Sequence, residues 1–217
     1  QTVSLSDYIG RMKDGQSKIF YITAESFAAA RNSPHLEVFA KKGIEVLLLG
    51  EGGIDEWLTE HLHEFEGKSL VSVMKGSLEE LNQLADSEEK QAREQAETSL
   101  KPVLERVKTA LGEKVGEVRI STRLTASPAC LVTDEHAMSS HLERLLKQAG
   151  QSVPTSRLHL ELNPEHPLVK QLSGRDDAAL TEWAHLLFDQ ALLAEGGQLE
   201  DPASFVRRLN SLLQQAL

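Results

Sequence analysis

Three near-continuous apolar runs, KIFYIT (18–23), IEVLLL (44–49) and SLVSVM (69–74), constrain this chain more than any other feature in it. A strand that is apolar at almost every position must be covered on both faces, which a parallel sheet with helical crossovers achieves. The segments between the runs have helical character. SLSDYIGRM is a short capped helix ahead of the first run, and SFAAARN, HLEVFAKK and IDEWLTEHLHEF (54–65) supply the connections. Two lysines followed by Gly43 mark a helix C-terminus. The expected unit is a small α/β three-layer domain over residues 1–86, built on a three-stranded parallel sheet.

From about Asp86 the pattern changes. DSEEKQAREQAE (86–97) mixes charges at helix-supporting spacing, Glu89 with Arg93 and Glu97 with Lys101, and so predicts a solvated helix. That helix continues with Leu100, Val103, Leu104, Val107 and Leu111 on one face and ends near Gly112. EVRIST and ACLVT follow as strands, and RLHLELN (157–163) alternates as a half-buried strand does. Between them TDEHAMSSHLERLLKQAG (133–150) predicts an amphipathic helix, capped by Thr133 or Asp134 and stopped by Gly150. Its stripe is Met138, Leu142, Leu145 and Leu146; by periodicity alone such a stripe is core. Residues 87–217 are therefore expected to form an α+β domain.

This domain ends in two helices. DDAALTEWAHLLFDQALLAEGGQ has an apolar arc wider than one stripe, and in DPASFVRRLNSLLQQAL Asp201 caps, Pro202 takes the first helical position and Ala216 closes the apolar side. A hairpin with so much apolar surface predicts a four-helix bundle formed with a second copy. The interface residues assigned on this basis are Leu180, Trp183, Leu187, Phe188, Ala191, Phe205, Leu209, Leu212 and Leu213.

Chemistry is sparse. The loop GEGG (50–53) follows a strand, but it lacks the third glycine of a dinucleotide fingerprint and the Gly-Lys-Ser/Thr ending of a nucleotide loop, so it is read as a plain turn. His61 and His63, two apart on a helix, do not share a face, and His136 and His141 diverge similarly, so no metal site is assigned. The one cysteine, Cys130 in apolar SPACLV, cannot form an internal disulfide and is expected to be a buried, inert thiol in a reducing cytoplasm. With 33 acidic and 23 basic residues, the chain repels phosphate backbones and offers no basic stripe for nucleic acid. No apolar run reaches the roughly 18 residues of a membrane span. The chain begins at Gln1, and a piece of a longer protein is expected.

Taken together, SLSDYIGRMKDGQSKIFYITAES, SPHLEVFAKKGIEVLLL, IDEW, SPACLVT, LELNPEHPLV and LLFDQALLAEGGQLEDPASFVRRLN resemble the ninety-kilodalton heat-shock chaperone family, its bacterial form in particular. The resemblance runs through the whole chain in order. It implies the last α/β/α part of the middle domain followed by the C-terminal dimerisation domain, without the ATPase domain; ATP and Mg would belong to the full-length parent and no cofactor to this chain. It implies a homodimer held by the terminal helices. It further implies that non-native client proteins are held by Glu56 and Trp57 of IDEW and by Met138, Leu142, Leu145 and Leu146. The chain ends LLQQAL, without the acidic Glu-Glu-Val-Asp tail of eukaryotic relatives, so tail-docking cochaperones are not expected. Two other readings stand beside it: a purely structural dimeriser in which the stripe is core, and a small-ligand enzyme with substrate near GEGG at the carboxyl ends of the parallel strands.

Overall fold

The three apolar runs do form one sheet. The computed structural model describes residues 2–51, 53–76, 78, 81, 87–135, 137, 143, 150 and 157–215. Within the first sheet, β1 (Ile19–Thr23) lies between β2 (Leu47–Leu49) and β4 (Lys68–Ser72), parallel to both, and a short β3 (Glu64–Phe65) adds an antiparallel edge, giving the order β2-β1-β4-β3. Only central β1 is covered almost throughout; β2, at the edge, is half-buried along its length. The expected helix over 54–65 is shorter than its sequence indicated. It is α4 (Gly53–His61), and the remaining residues turn back as β3 against β4, because Glu66 and Gly67 take positive φ and close a tight hairpin.

Local signals account for the connecting helices. Ser4 caps α1 (Leu5–Ile9) in a reciprocal box with Asp7, Ser26 caps α2 (Phe27–Arg31), and Gly43 ends α3 (Glu37–Lys42) in the left-handed region at φ 64°. Phe20, Ile22, Ala30, Phe39, Ile44 and Val73 form the core of this half, with the Phe20 and Phe39 rings edge to face at 4.9 Å.

The second half is built around a three-stranded mixed sheet in the order β5-β7-β6. Here β7 (Leu158–Leu162) runs parallel to β5 (Val118–Ile120) and antiparallel to β6 (Ala129–Thr133). Its main helices are α5 (Ser87–Leu111), α7 (Asp177–Ala194) and α8 (Pro202–Gln215), with a one-turn α6 (Pro167–Lys170) between sheet and α7. The first half of α5 is solvated, with Arg93 reaching Glu97 at 2.9 Å and Glu89 held by Lys41 and Lys42 of α3. From Leu100 onward α5 buries Val103, Val107 and Leu111 against Leu160, Leu162, Leu180, Ala184 and Leu187. Asp201 caps α8, accepting from Ser204 N at 3.0 Å, and Pro202 opens it. Arg208 ties α8 to α7 through Glu182 and Asp189, both at 3.0 Å.

The two halves meet through polar groups. Glu37 at the start of α3 accepts from the backbone N–H groups of Thr125 (2.6 Å), Ala126 (2.7 Å) and Ser127 (3.0 Å) and from the Ser127 hydroxyl (2.6 Å). Burial pushes the Glu37 carboxyl up, but these bonds outweigh it and hold the group below its ordinary range. His35, fully buried, places Nε2 2.6 Å from Glu195 Oε1, and Lys75 bridges to Thr133. Among the described residues no helix is long and apolar enough to cross a membrane.

Candidate functional site

Helix α4 has its faces reversed. At about 100° per residue, Ile54, Trp57, Leu58 and His61 share one side of GIDEWLTEH, and Asp55, Glu56 and Thr59 lie on the other. A surface helix ordinarily buries the first set. Here Asp55, Glu56 and Thr59 are the half-buried residues, while Ile54 is 72% exposed, Trp57 64% and Leu58 42%. Thr59 sits against the Tyr21 phenol of β1, and burial pushes that phenol above its ordinary range. The inner contact is thus polar, and the apolar side faces water.

Local bonds close the helix on itself. Asp55 accepts from Glu51 N at 2.7 Å and secures the first turn; the Thr59 hydroxyl donates to Glu56 O at 3.1 Å. His61 Nδ1 lies 2.7 Å from Trp57 O, and its ring packs on the indole at 4.5 Å, tilted by 32°. That histidine braces the tryptophan. Gly50, just ahead of the helix, has Phe27 backbone so close that a Cβ would lie 2.5 Å from Phe27 N and 2.9 Å from Phe27 Cα. The glycine serves the close passage of α2. Phe27 itself is 56% exposed at the same edge.

Of the six residues assigned to client contact, the structure separates Glu56 and Trp57: Trp57 lies on the exposed side and Glu56 on the half-buried one. Met138, Leu142, Leu145 and Leu146, and with them His136 and His141, lie outside the described residues. Ile54 and Leu58 were not assigned. Their spacing from Trp57 was legible as a shared face, but nothing in it says that the face turns outward.

Burial divides the nine residues assigned to a dimer interface. Leu180, Leu187, Phe188 and Ala191 are buried within this chain's own core, because α7 packs against both α5 and β6 of the second sheet and its wide apolar arc is covered by both. Trp183, Phe205, Leu209 and Leu212 are half-buried, and Leu213 is 56% exposed. Val206 and Leu193, not assigned, are exposed as well.

A third constellation was missed altogether. Arg123, between β5 and β6, is fully buried. Its Nε donates to Glu161 Oε2 at 2.9 Å, its Nη2 to Gly76 O at 2.8 Å, and its Nη1 to Val73 O. Arg119 reaches the same carboxylate at 3.0 Å and Ser121 Oγ donates to it at 3.0 Å. Burial pushes the Glu161 carboxyl up, and Arg123 and Arg119 outweigh it, holding it below its ordinary range. RLHLELN is half-buried, as its alternation predicted, only at its start: from Leu160 onward Glu161 and Asn163 are covered too, because this polar face meets the first half of the chain. Cys130, behind Glu161, is fully buried; burial and the neighbouring carboxylate push its thiol well above its ordinary range, and it stays protonated. Two guanidinium groups thus share one buried carboxylate beside the carbonyls of Val73 and Gly76, with Arg123 wholly covered and Arg119 partly exposed.

The sequence model of a family described as Hsp90 protein matches residues 1–217. Proteins named Chaperone protein HtpG are similar along nearly the whole chain. That of Burkholderia ambifaria is 60% identical over 213 residues, 98% of this chain and 33% of its own length. That of Nitrosococcus oceani is 60% identical over 214 residues, again 98% and 33%, and that of Chromobacterium violaceum 61% over 213, with the same shares. The chain spans about a third of the length of the curated relatives it matches.

Proposed function

This chain belongs to the Hsp90 protein family, and from that premise we propose that it is the client-holding and dimerising portion of a chaperone. The observation that carries the proposal is the outward apolar face of α4. A helix that turns Ile54, Trp57 and Leu58 to water while a threonine and two carboxylates face the body forgoes burial worth about 1.5–3 kcal/mol for each large side chain. Such a face is useful where it can cover apolar segments of other proteins. It does so without chemistry, and ATP and Mg are bound by parts of the full-length protein outside these residues. Met138, Leu142, Leu145 and Leu146 extend the same binding role. The long, unbranched or γ-branched side chains among them adapt to varied partners.

Trp57→Ala tests the reading in this chain. Its unfolding free energy in urea should move by no more than about 0.5 kcal/mol, as for other surface substitutions, while affinity for a reduced and alkylated unfolded protein should fall about tenfold or more. A loss of stability of about 3–5 kcal/mol with binding unchanged would make Trp57 a packing residue and would leave the structural dimeriser as the better account.

We propose dimerisation through the outer side of α8, where Phe205, Val206, Leu209, Leu212 and Leu213 share a face, together with Trp183 and Leu193 of α7. Leu213→Glu should shift the sedimenting species from dimer to monomer at micromolar concentration. A dimer that survives this substitution, and Val206→Glu beside it, places the interface elsewhere.

A further inference from the structure

The segment of chain that carries α4 is of one sign. From Glu51 to Gly67 the chain carries six carboxylates, Glu51, Asp55, Glu56, Glu60, Glu64 and Glu66, and no lysine or arginine. On the helix, Glu60 flanks the exposed face beside Trp57 and Asp55 flanks it beside Leu58. Glu51 precedes the first turn, and Glu64 and Glu66 follow the last. Glu51, Glu60, Glu64 and Glu66 are all exposed, and among the described residues none of these four is in an ion pair. Elsewhere on this chain some exposed carboxylates are paired, Glu97 with Arg93, Glu165 with Lys170 and Asp177 with Arg106. Among the described residues Glu51, Glu60, Glu64 and Glu66 have no such partner, and the first cation after them along the chain is Lys68, opposite Phe65.

We infer that this surface selects one class of client segment, an extended or helical stretch in which large apolar residues are flanked by lysine or arginine. The inference rests on the client-holding reading of α4 and deepens it. The apolar residues cover Ile54, Trp57 and Leu58, and the cations meet Glu51, Glu60 and Glu64, complementing the sign of the rim. Basic–apolar segments are also repelled least by a chain of net charge −10. A segment with acidic flanks meets like charge on every side of the helix and is rejected however apolar its centre. Each exposed pair contributes little by itself, a factor of about 1.4 to 5, so three together give a preference of about tenfold over neutral flanks at low salt. Because the pairs are solvated, that preference fades within a Debye length as salt is raised.

Three fluorescent peptides of equal length test the inference, sharing a Leu-Phe-Ile centre and flanked by lysine, serine or glutamate. Their affinities are measured by anisotropy at low and high sodium chloride for the unchanged chain, for Trp57→Ala and for the triple variant Glu51→Gln, Glu60→Gln, Glu64→Gln. The expected order is lysine, then serine, then glutamate, with about tenfold between the first two. The spread should collapse at high salt and shrink in the triple variant, and all binding should weaken in Trp57→Ala. Equal affinities that are all lost in Trp57→Ala overturn the charge preference and leave the client surface standing. Affinities indifferent to Trp57→Ala overturn the client surface, and this inference with it. A lysine preference undiminished in the triple variant assigns it to overall charge and overturns the local rim. Concentration-dependent self-association of the peptide-free chain that Trp57→Ala abolishes makes a second copy the occupant, and overturns the inference as well.

Discussion

Arg123→Ala should destabilise this chain by about 3–5 kcal/mol in urea unfolding at fixed protein concentration, more than any surface charge in it. The substitution removes the guanidinium that meets Glu161 and the carbonyls of Val73 and Gly76, and it leaves a carboxylate that is almost wholly buried. Arg119 remains, but it is partly exposed and touches one oxygen of the pair. The loss should depend on pH. Glu161 is held below its ordinary range in the folded chain, so its contribution is present above the ordinary carboxylate pKa and is lost as pH falls through the lowered folded value. Without Arg123 the buried carboxylate can be relieved by protonation, and the difference between variant and unchanged chain should narrow in acid. The double variant Arg123→Met, Glu161→Leu should recover much of the loss, since removing both charges leaves neither unpaired. A single-variant loss below about 1 kcal/mol would mean that water takes the place of the guanidinium.

Leu187→Ala should cost about 2–5 kcal/mol and leave the proposed dimer intact. Leu187 is fully buried among residues of α5, α7 and the second sheet, and truncation opens a cavity that neighbours on two sides cannot close. The contrast with Leu213→Glu is the informative part. Leu187 belongs to the fold and Leu213 to the outer face, so the first substitution should shift the unfolding midpoint without altering sedimentation, and the second should do the reverse. Were Leu187 at the subunit interface, its cost would instead shrink as the chain is diluted below the dimer's dissociation constant.

Elements whose signals are local were legible in the sequence. ACLVT is β6 residue for residue, Gly43 and its two lysines end α3, and Asp201 with Pro202 starts α8. The candidate site was legible only halfway. IDEW pointed to α4, and periodicity placed Ile54, Trp57 and Leu58 together, but which face of a helix turns inward is decided by what lies beneath it. Here that is the Tyr21 phenol, more than 30 residues away in sequence, and it suits Thr59. The same limit hid the Arg123 cluster. An arginine after a strand and a glutamate inside one each look like solvated positions until the fold brings them to 2.9 Å across a separation of 38 residues. For α7 the sequence showed a wide apolar arc without saying how many neighbours cover it, and four residues assigned to a partner lie inside the chain's own core.

Glu37 grips the loop that follows Arg123 by its main chain, and this has a consequence for how the protein can drift in sequence. Thr125 and Ala126 contribute only their backbone N–H groups to the carboxylate, so their side chains are free to change. Ser127 adds its hydroxyl and is less free. Proline is the exception at all three positions, since it has no N–H to give. Thr125 and Ala126 should therefore vary widely among functional descendants of this sequence and Ser127 less so, with proline missing from all three positions, while the single glutamate opposite does not vary.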